Sequence, residues 1–157
     1  MANKPASLED RVGRLEAIED IKQLKARYCA YCDKAYDPAG ITSLFVPNGV
    51  WDGGKFGRYE GHAAIAEYFL KISDMVTFSA HMITNPIIAV DGDRATGQWW
   101  ILTPATRIRD GAKQAYWMLA TYDDVYVRTD RGWLYESLTA DLKFVAPHDT
   151  GWAEQAG

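Results

Sequence analysis

Four long stretches in the second half of the chain show the two-residue alternation of β-strands, and three turns rich in Asp and Gly separate them. The stretches cover residues 78–90, 95–109, 113–128 and 132–145. The turns are Asp91-Gly92-Asp93, Asp110-Gly111 and Asp130-Arg131-Gly132. Short turns of this composition join neighbouring antiparallel strands, so the sequence predicts an antiparallel meander. Because Pro86 has no N–H to give to a ladder, the first strand should be an edge or bulged there.

The first half is predicted to be mainly helical. Ser7 followed by Asp10 is typical of a helix start, and a helix over residues 8–34 is expected. Apolar side chains recur there at helical spacing, at Leu15, Ile18, Ile21, Leu24, Tyr28 and Tyr31. Asp37-Pro38 should open a short second helix that ends near residue 45. Short strands over 50–52 and 56–59 and a third helix over 62–73 should follow.

Helices packed against an antiparallel sheet make an α+β fold. Long hairpin strands twist, so the sheet should curl around the N-terminal helices and leave a cone whose mouth can hold a small molecule. The length of 157 residues suggests one domain over 1–157, with a core over about 8–145. A polar tail over 146–157 should follow, partly ordered through Trp152.

Charge and hydropathy narrow the possible partners. The net charge is −4 and no basic stripe is present, so we expect no nucleic-acid partner. No apolar run approaches the ~20 residues of a membrane span, and the N-terminus lacks an apolar signal segment. No membrane association and a cytoplasmic location are therefore expected.

Cys29 and Cys32 form a C-x-x-C sequence, a spacing that redox and metal sites also use. The pair falls within a helical pattern, and no second cysteine pair exists to complete a zinc site. We expect two reduced, packed thiols, with no metal and no cofactor; a redox role is the alternative.

Tyr28, Asp33 and His81 are the candidate acid–base residues. Tyr28 and Asp33 lie five residues apart at the end of the first helix, and His81 begins an apolar strand-like run. A carboxylate can orient an imidazole base, and a phenol can donate a proton. Spacing alone does not show that the three meet. Asp33 could instead cap a turn, His81 could be a core histidine, and Tyr28 could simply pack.

Motifs along most of the chain, over about residues 8–145, occur in the order of one known family. They are Ile18-x-x-Ile21 through Tyr28 and Asp33, Leu44-Phe45, Trp51, Gly57-x-x-x-Gly61 with Ile65 and Phe69, His81-x-x-Thr84-Asn85-Pro86, Asp91-Gly92-Asp93, Tyr122-x-x-x-Tyr126 and Gly132-Trp133. The pattern resembles the SnoaL-like branch of the nuclear transport factor 2-like superfamily. The resemblance implies an α+β cone with a curved antiparallel sheet wrapped around N-terminal helices.

The resemblance also implies a function. The superfamily includes cofactor-independent lyases such as bile-acid 7α-dehydratase, scytalone dehydratase and hexachlorocyclohexane dehydrochlorinase. Asp33 and His81 match the Asp–His pair of the first and last of these, and Tyr28 matches a tyrosine of the bile-acid enzyme. Both of those enzymes carry an active-site arginine on the last strand. Leu138 stands at that place here, so the cation is missing.

We therefore expect a lyase or dehydratase that acts on an apolar aromatic or polycyclic small molecule. An isomerase or cyclase, a non-catalytic binding domain and a subunit of a larger enzyme are the alternatives, since one fold hosts many functions. Relatives form homodimers or homotrimers, and this chain should form one of them.

Strand alternation and the resemblance together predict which side chains line the pocket. The expected lining residues are Trp51, Trp99, Ile101, Tyr116, Met118 and Leu138. Ordinary core packing is the alternative for all of them. Trp100, Trp117 and Leu119 fall on the opposite face, where a subunit interface would cover them.

Overall fold

The computed structural model describes residues 7–151. The helices are α1 Leu8–Asp33, α2 Pro38–Ser43 and α3 Gly61–Met75. The strands are β1 Phe45–Asp52, β2 Arg58–Glu60, β3 Val76–Ser79, β4 Met82–Asp91, β5 Arg94–Arg109, β6 Ala112–Thr129 and β7 Gly132–Pro147. A short 3-10 helix, Gly54–Phe56, separates β1 from β2.

The strands form a seven-stranded sheet in the order β2-β1-β7-β6-β5-β3, and β4 also pairs with β5. The three longest strands, β5, β6 and β7, form the expected antiparallel meander. The predicted fold class is confirmed: the helices come first in the chain, and a curved, open sheet wraps around them. The sequence did not predict that β1 joins β7 in parallel, with Trp51 opposite Leu138.

A reciprocal capping box starts α1, because Ser7 Oγ accepts from the backbone N–H of Asp10 and Asp10 accepts from the backbone N–H of Ser7. Gly13 does not interrupt the helix. One face of α1 is buried, and its members are Ala17, Ile21, Leu24, Lys25, Tyr28, Cys29 and Cys32. This face fixes α1 against the concave side of the sheet.

The single strand predicted over 78–90 is wrong. The structure has two strands there, β3 and β4, with Ala80 and His81 between them. His81 donates its backbone N–H to the Asp33 carboxylate, at 3.0 and 3.1 Å, and not to β5. The bulge expected at Pro86 is confirmed, since the pairing of β4 with β5 shifts between Thr84 and Ile87.

Two element boundaries also differ from expectation. Residue 45 does not end α2 but begins β1, which is longer than the predicted 50–52 because Leu44 and Phe45 already pair with β7. At the other end, β7 extends to Pro147 and Ala146 is fully buried, so the core continues beyond residue 145. Trp152, expected to order the tail, lies outside the described residues.

The two cysteines are free and buried. Burial raises the pKa of Cys29 to about 12 and also raises that of Cys32, which keeps both as thiols. Within residues 7–151, no group of three or more His, Cys, Asp and Glu side chains could hold a metal ion. No helix in the same range is long and apolar enough to cross a membrane.

A buried ion pair fastens α1 to the sheet. Lys25 Nζ lies 2.8 Å from Asp124 Oδ2, and at most 1% of either side chain is exposed. The hydroxyl of Tyr126 donates to the same carboxylate oxygen at 2.6 Å. The Lys25 ammonium also lies 3.6 Å from the centre of the Tyr122 ring. Hydrogen bonds and a ring face thus replace much of the water that both charges lose.

Removing one charge of this pair should destabilise the protein strongly. Lys25→Met leaves Asp124 buried without its cation, and we expect a loss of about 3–5 kcal/mol in unfolding free energy. The double variant Lys25→Met, Asp124→Leu should regain much of this loss. Chemical denaturation measures the unfolding free energies of the single and the double variant. Lys22→Met, on the exposed face of α1, is the control. Equal stability of the single variant and the wild type would contradict the assignment.

Candidate active site

A cavity of about 110 Å³ lies between the helices and the concave face of the sheet. Its wall is mostly aromatic and aliphatic. The aromatic members are Tyr28, Tyr36, Trp51, Phe56, Tyr68, Phe69, Tyr116 and Tyr122. His81 and Thr103 also reach it. Such a wall favours an apolar ligand and leaves few groups to fix its orientation.

The structure brings Asp33 and His81 together. Nδ1 of His81 lies 2.6 Å from Oδ1 of Asp33. Only 5% of the His81 side chain is exposed, against 34% for Asp33. Asp33 therefore lies on the solvent side of the pair, and the imidazole forms part of the cavity wall.

The ionisation of Asp33 fixes the imidazole tautomer. Burial alone would raise the Asp33 pKa, but hydrogen bonds from the His81 ring and backbone, with one from Ser79, outweigh it. The Asp33 pKa accordingly lies below its ordinary value, and the carboxylate accepts a hydrogen bond from Nδ1–H. Nε2 is then the unprotonated nitrogen of neutral His81, and it makes no hydrogen bond to any residue in 7–151.

Tyr28 also lies on the cavity wall, at 2% exposure. Its hydroxyl accepts a hydrogen bond from Trp51 Nε1 at 2.9 Å. Burial, with further contributions from Cys32 and Tyr122, raises the Tyr28 pKa well above its ordinary value. The phenol is therefore neutral. No hydrogen bond joins it to His81 among the described contacts, so the structure places these two residues on one cavity without direct contact.

Tyr36 is a cavity residue that the sequence reasoning missed. Its ring centre lies 5.8 Å from that of His81, edge to face, and it stacks on Phe69. Ala35 and Tyr36 both have left-handed backbone angles, with φ of 51° and 53°. Such angles are costly for residues other than glycine and cluster at functional sites. Lys34-Ala35-Tyr36 contains no glycine or asparagine, so no residue preference indicates a left-handed turn there.

Three of the six expected pocket residues lie on the cavity wall: Trp51, Tyr116 and Met118. Trp99, Ile101 and Leu138 do not, which corrects the expectation for them. They face the same side of the sheet but lie where α1 covers it, and all three are at most 4% exposed. Trp99, for example, donates to the Tyr126 hydroxyl at 3.1 Å, near the buried Lys25. The two-residue alternation of the strands identified the correct face of the sheet, but it did not show how much of that face α1 covers.

No lysine or arginine among the described residues lines the cavity. Leu138 is fully buried, and Ala140 and Leu142, further along β7, reach the wall instead. Arg107 lies over the outer part of the wall, with its guanidinium 5.0 Å from the Tyr116 ring centre, and bonds to Gln114. The cavity therefore offers hydroxyls, phenols and one imidazole, but no fixed cation.

A family model described as a SnoaL-like domain matches residues 13–139. The chain belongs to the SnoaL-like family. No functionally curated protein matches this SnoaL-like chain significantly in sequence.

Several solved structures share the fold of this SnoaL-like protein. One is a hexachlorocyclohexane dehydrochlorinase, LinA-type3, from Novosphingobium barchaimii LL02: identity is 21%, the match covers 90% of this chain and 94% of that one, and the TM-score is 0.75. A proposed aromatic ring hydroxylase from Novosphingobium aromaticivorans has 23% identity, coverage of 91% and 96%, and a TM-score of 0.75. A proposed scytalone dehydratase from the same species has 16% identity, coverage of 86% and 89%, and a TM-score of 0.76. At these identities the likeness shows the fold alone.

The Asp33 pKa predicts how stability depends on pH. Because this pKa is lower in the folded state than the ordinary aspartate value of 3.8, the unfolded chain binds the proton more readily. The stabilisation that the ionised Asp33 gives the folded state is therefore present above pH 3.8, and it is lost as the pH falls through the folded-state pKa of Asp33. As the pH is lowered below about 4, unfolding free energy should fall more steeply in the wild type than in Asp33→Asn.

Denaturant titrations at each pH measure this difference. Asp130→Asn, in the exposed turn between β6 and β7, is the control and should follow the wild type. Parallel curves for the wild type and Asp33→Asn would show that the pair does not lower the Asp33 pKa.

Proposed function

We propose that the protein is a cofactor-independent lyase of the dehydratase type, with His81 as the base. The observation that carries this proposal is the Asp33–His81 hydrogen bond at the wall of an apolar cavity. Binding an apolar ligand needs no such pair, whereas proton abstraction needs an oriented imidazole. Membership of the SnoaL-like family, and the presence of lyases among proteins of this fold, also support a lyase.

The reaction would begin at Nε2 of His81. This nitrogen removes a proton from a carbon next to a carbonyl, and the C–H electron pair forms a carbon–carbon double bond as the neighbouring C–O bond breaks. Asp33 keeps Nδ1 protonated and stabilises the imidazolium that forms. The hydroxyl leaves with one proton as water, so the products are an unsaturated ketone and water.

Tyr28 would supply the proton for the departing hydroxyl. Its oxygen accepts from Trp51, so its hydrogen can be donated, and this hydrogen would turn from the Cys32 sulfur to the departing hydroxyl. The raised pKa of Tyr28 shows that the phenol holds this proton at neutral pH. The imidazolium then passes its proton through solvent to the Tyr28 phenolate, and the protein regains its starting state.

The cavity limits the substrate to a small neutral ring compound. An engineered cavity of about 150 Å³ holds benzene, so a cavity of about 110 Å³ encloses at most one ring, and a second ring would lie in its open mouth. Anionic substrates are disfavoured because no lysine or arginine among residues 7–151 lines the wall. The tyrosine and tryptophan rings favour a flat, apolar body.

A bicyclic β-hydroxy ketone, 3-hydroxyindan-1-one, provides a direct test. We expect the wild type to convert it to indenone and water, measured by chromatography against a no-enzyme control. Deuterium exchange at C2 in D₂O, recorded by NMR with indan-1-one, tests proton abstraction separately. Exchange without water loss would favour an isomerase of the same fold. Absence of both reactions would contradict the lyase proposal for this class of substrate.

Substitutions at the pair should separate catalysis from folding. We expect His81→Ala and Asp33→Asn each to lower turnover by about 10²–10⁴-fold, because general-base catalysis contributes about that much. Circular dichroism should show both variants folded. His62→Ala is the matched control, since His62 lies in the first turn of α3 and bonds to the Phe45 carbonyl outside the cavity wall. Near-wild-type turnover in His81→Ala would contradict its role.

We also propose that a second copy of the chain covers the outer face of β4 and β5. Trp100, Met82 and Ile87 project there with exposures of 41, 44 and 68%. An apolar patch of this kind is typical of an interface.

Light scattering coupled to gel filtration tests the assembly. The wild type should elute as a homodimer or homotrimer, and Trp100→Glu with Ile87→Glu should elute as a monomer. Leu70→Glu, on the exposed side of α3, is the control and should leave the assembly unchanged. A monomeric wild type would overturn this part of the proposal.

A further inference from the structure

Thr103 presents a buried hydroxyl to the cavity without a partner. The residue is 1% exposed, lies on the cavity wall and belongs to β5. Its Oγ1 makes no hydrogen bond to any described residue, whereas most buried hydroxyls do. Leaving such a group unpaired costs free energy, because it has given up its bonds to water. A ligand in the cavity is one way to satisfy it.

The strand register places Thr103 beside His81. Ser79 pairs with Ala105 on one side of the break between β3 and β4, and Met82 pairs with Leu102 on the other. The Ala80 N–H also donates to the Pro104 carbonyl at 3.1 Å. Continued across the break, this register sets His81 across from Thr103, although the His81 backbone N–H bonds to Asp33 and not to β5. Both residues line the cavity.

We infer that Thr103 selects an oxygenated substrate by donating a hydrogen bond to its carbonyl oxygen. This inference rests on the proposed lyase function and names the group next to which His81 removes the proton. A carbonyl oxygen only accepts, and the Thr103 hydrogen has no competing acceptor among the described residues. As the proton leaves carbon, negative charge develops on that oxygen, where a preorganised donor stabilises it.

The position of Thr103 also compensates for the absence of a cation on the last strand, β7. Leu138 is buried and no lysine or arginine in the described range lines the wall, so a neutral donor must hold the developing oxyanion. Thr103, in β5, and His81, between β3 and β4, both contact the cavity, so one ketone can meet the donor at its oxygen and the base at its adjacent carbon. The substrate class is accordingly a neutral ring ketone, not a hydrocarbon or a carboxylate.

Two probes of the same shape, indan-1-one and indane, test the recognition step. Titration of the wild type, followed by tryptophan fluorescence or calorimetry, gives the ratio of their dissociation constants. In Thr103→Val, which keeps the side-chain shape, the preference for the ketone should fall by about 5-fold, since one neutral hydrogen bond is lost. Thr103→Ser should keep the preference. Thr96→Val, on the opposite face of the same strand, should behave as the wild type.

A stability measurement separates ligand recognition from a structural role. Because the hydroxyl has no partner in the described protein, Thr103→Val should melt at the same temperature as the wild type or higher. A clear drop in melting temperature would overturn the inference. An unchanged ketone preference in Thr103→Val, or no binding of indan-1-one to the wild type, would overturn it as well.

Turnover distinguishes this inference from the function on which it rests. With 3-hydroxyindan-1-one, Thr103→Val should lower kcat/KM by about 10²-fold, as loss of one oxyanion donor does. If the ketone preference depends on Thr103 but no His81-dependent turnover occurs, the lyase proposal fails while the binding site stands. If turnover depends on His81 but not on Thr103, the inference fails and the lyase proposal stands.

Discussion

The Asp33 carboxylate connects the last residue of α1 to the point where β3 becomes β4. It accepts the backbone N–H of His81 with both oxygens and the Nδ1–H of the same residue with one. The backbone bonds take His81 out of the ladder with β5, and the ring bond fixes its tautomer. One side chain therefore sets both the break in the strand and the direction of the imidazole, which couples fold and chemistry at this place.

The surroundings of the imidazole are apolar but not inert. Five tyrosines and Thr103 contribute hydroxyl groups to a wall that is otherwise mostly apolar; the tyrosines are Tyr28, Tyr36, Tyr68, Tyr116 and Tyr122. Burial raises the pKa of all five phenols, so each keeps its proton at neutral pH. A site of this composition can move protons and bind oxygen atoms without a fixed cation. That property separates it from a site that recognises carboxylates.

Pattern and resemblance predicted the architecture well, because the three hairpin turns and the capped first helix depend on local residue preferences. The Asp33–His81 contact also followed from the resemblance. Local patterns could not predict the parallel pairing of β1 with β7, which depends on where α2 ends and on the fit of Trp51 against Leu138. They also could not predict the left-handed backbone at Tyr36, since alanine and tyrosine do not favour it. Trp99 and Ile101 were misplaced because alternation assigns a face of a strand and does not show which part a helix covers.

The ring of Tyr122 separates the cavity from the buried ammonium of Lys25, which lies 3.6 Å from the ring centre. The protein therefore holds a positive charge one aromatic layer below its neutral pocket, already balanced by Asp124. A smaller residue at position 122 would open that layer and bring the ammonium within reach of a guest. A single substitution in the floor could thus shift this scaffold from the proposed ketone ligands toward anions, without a new cation having to arise.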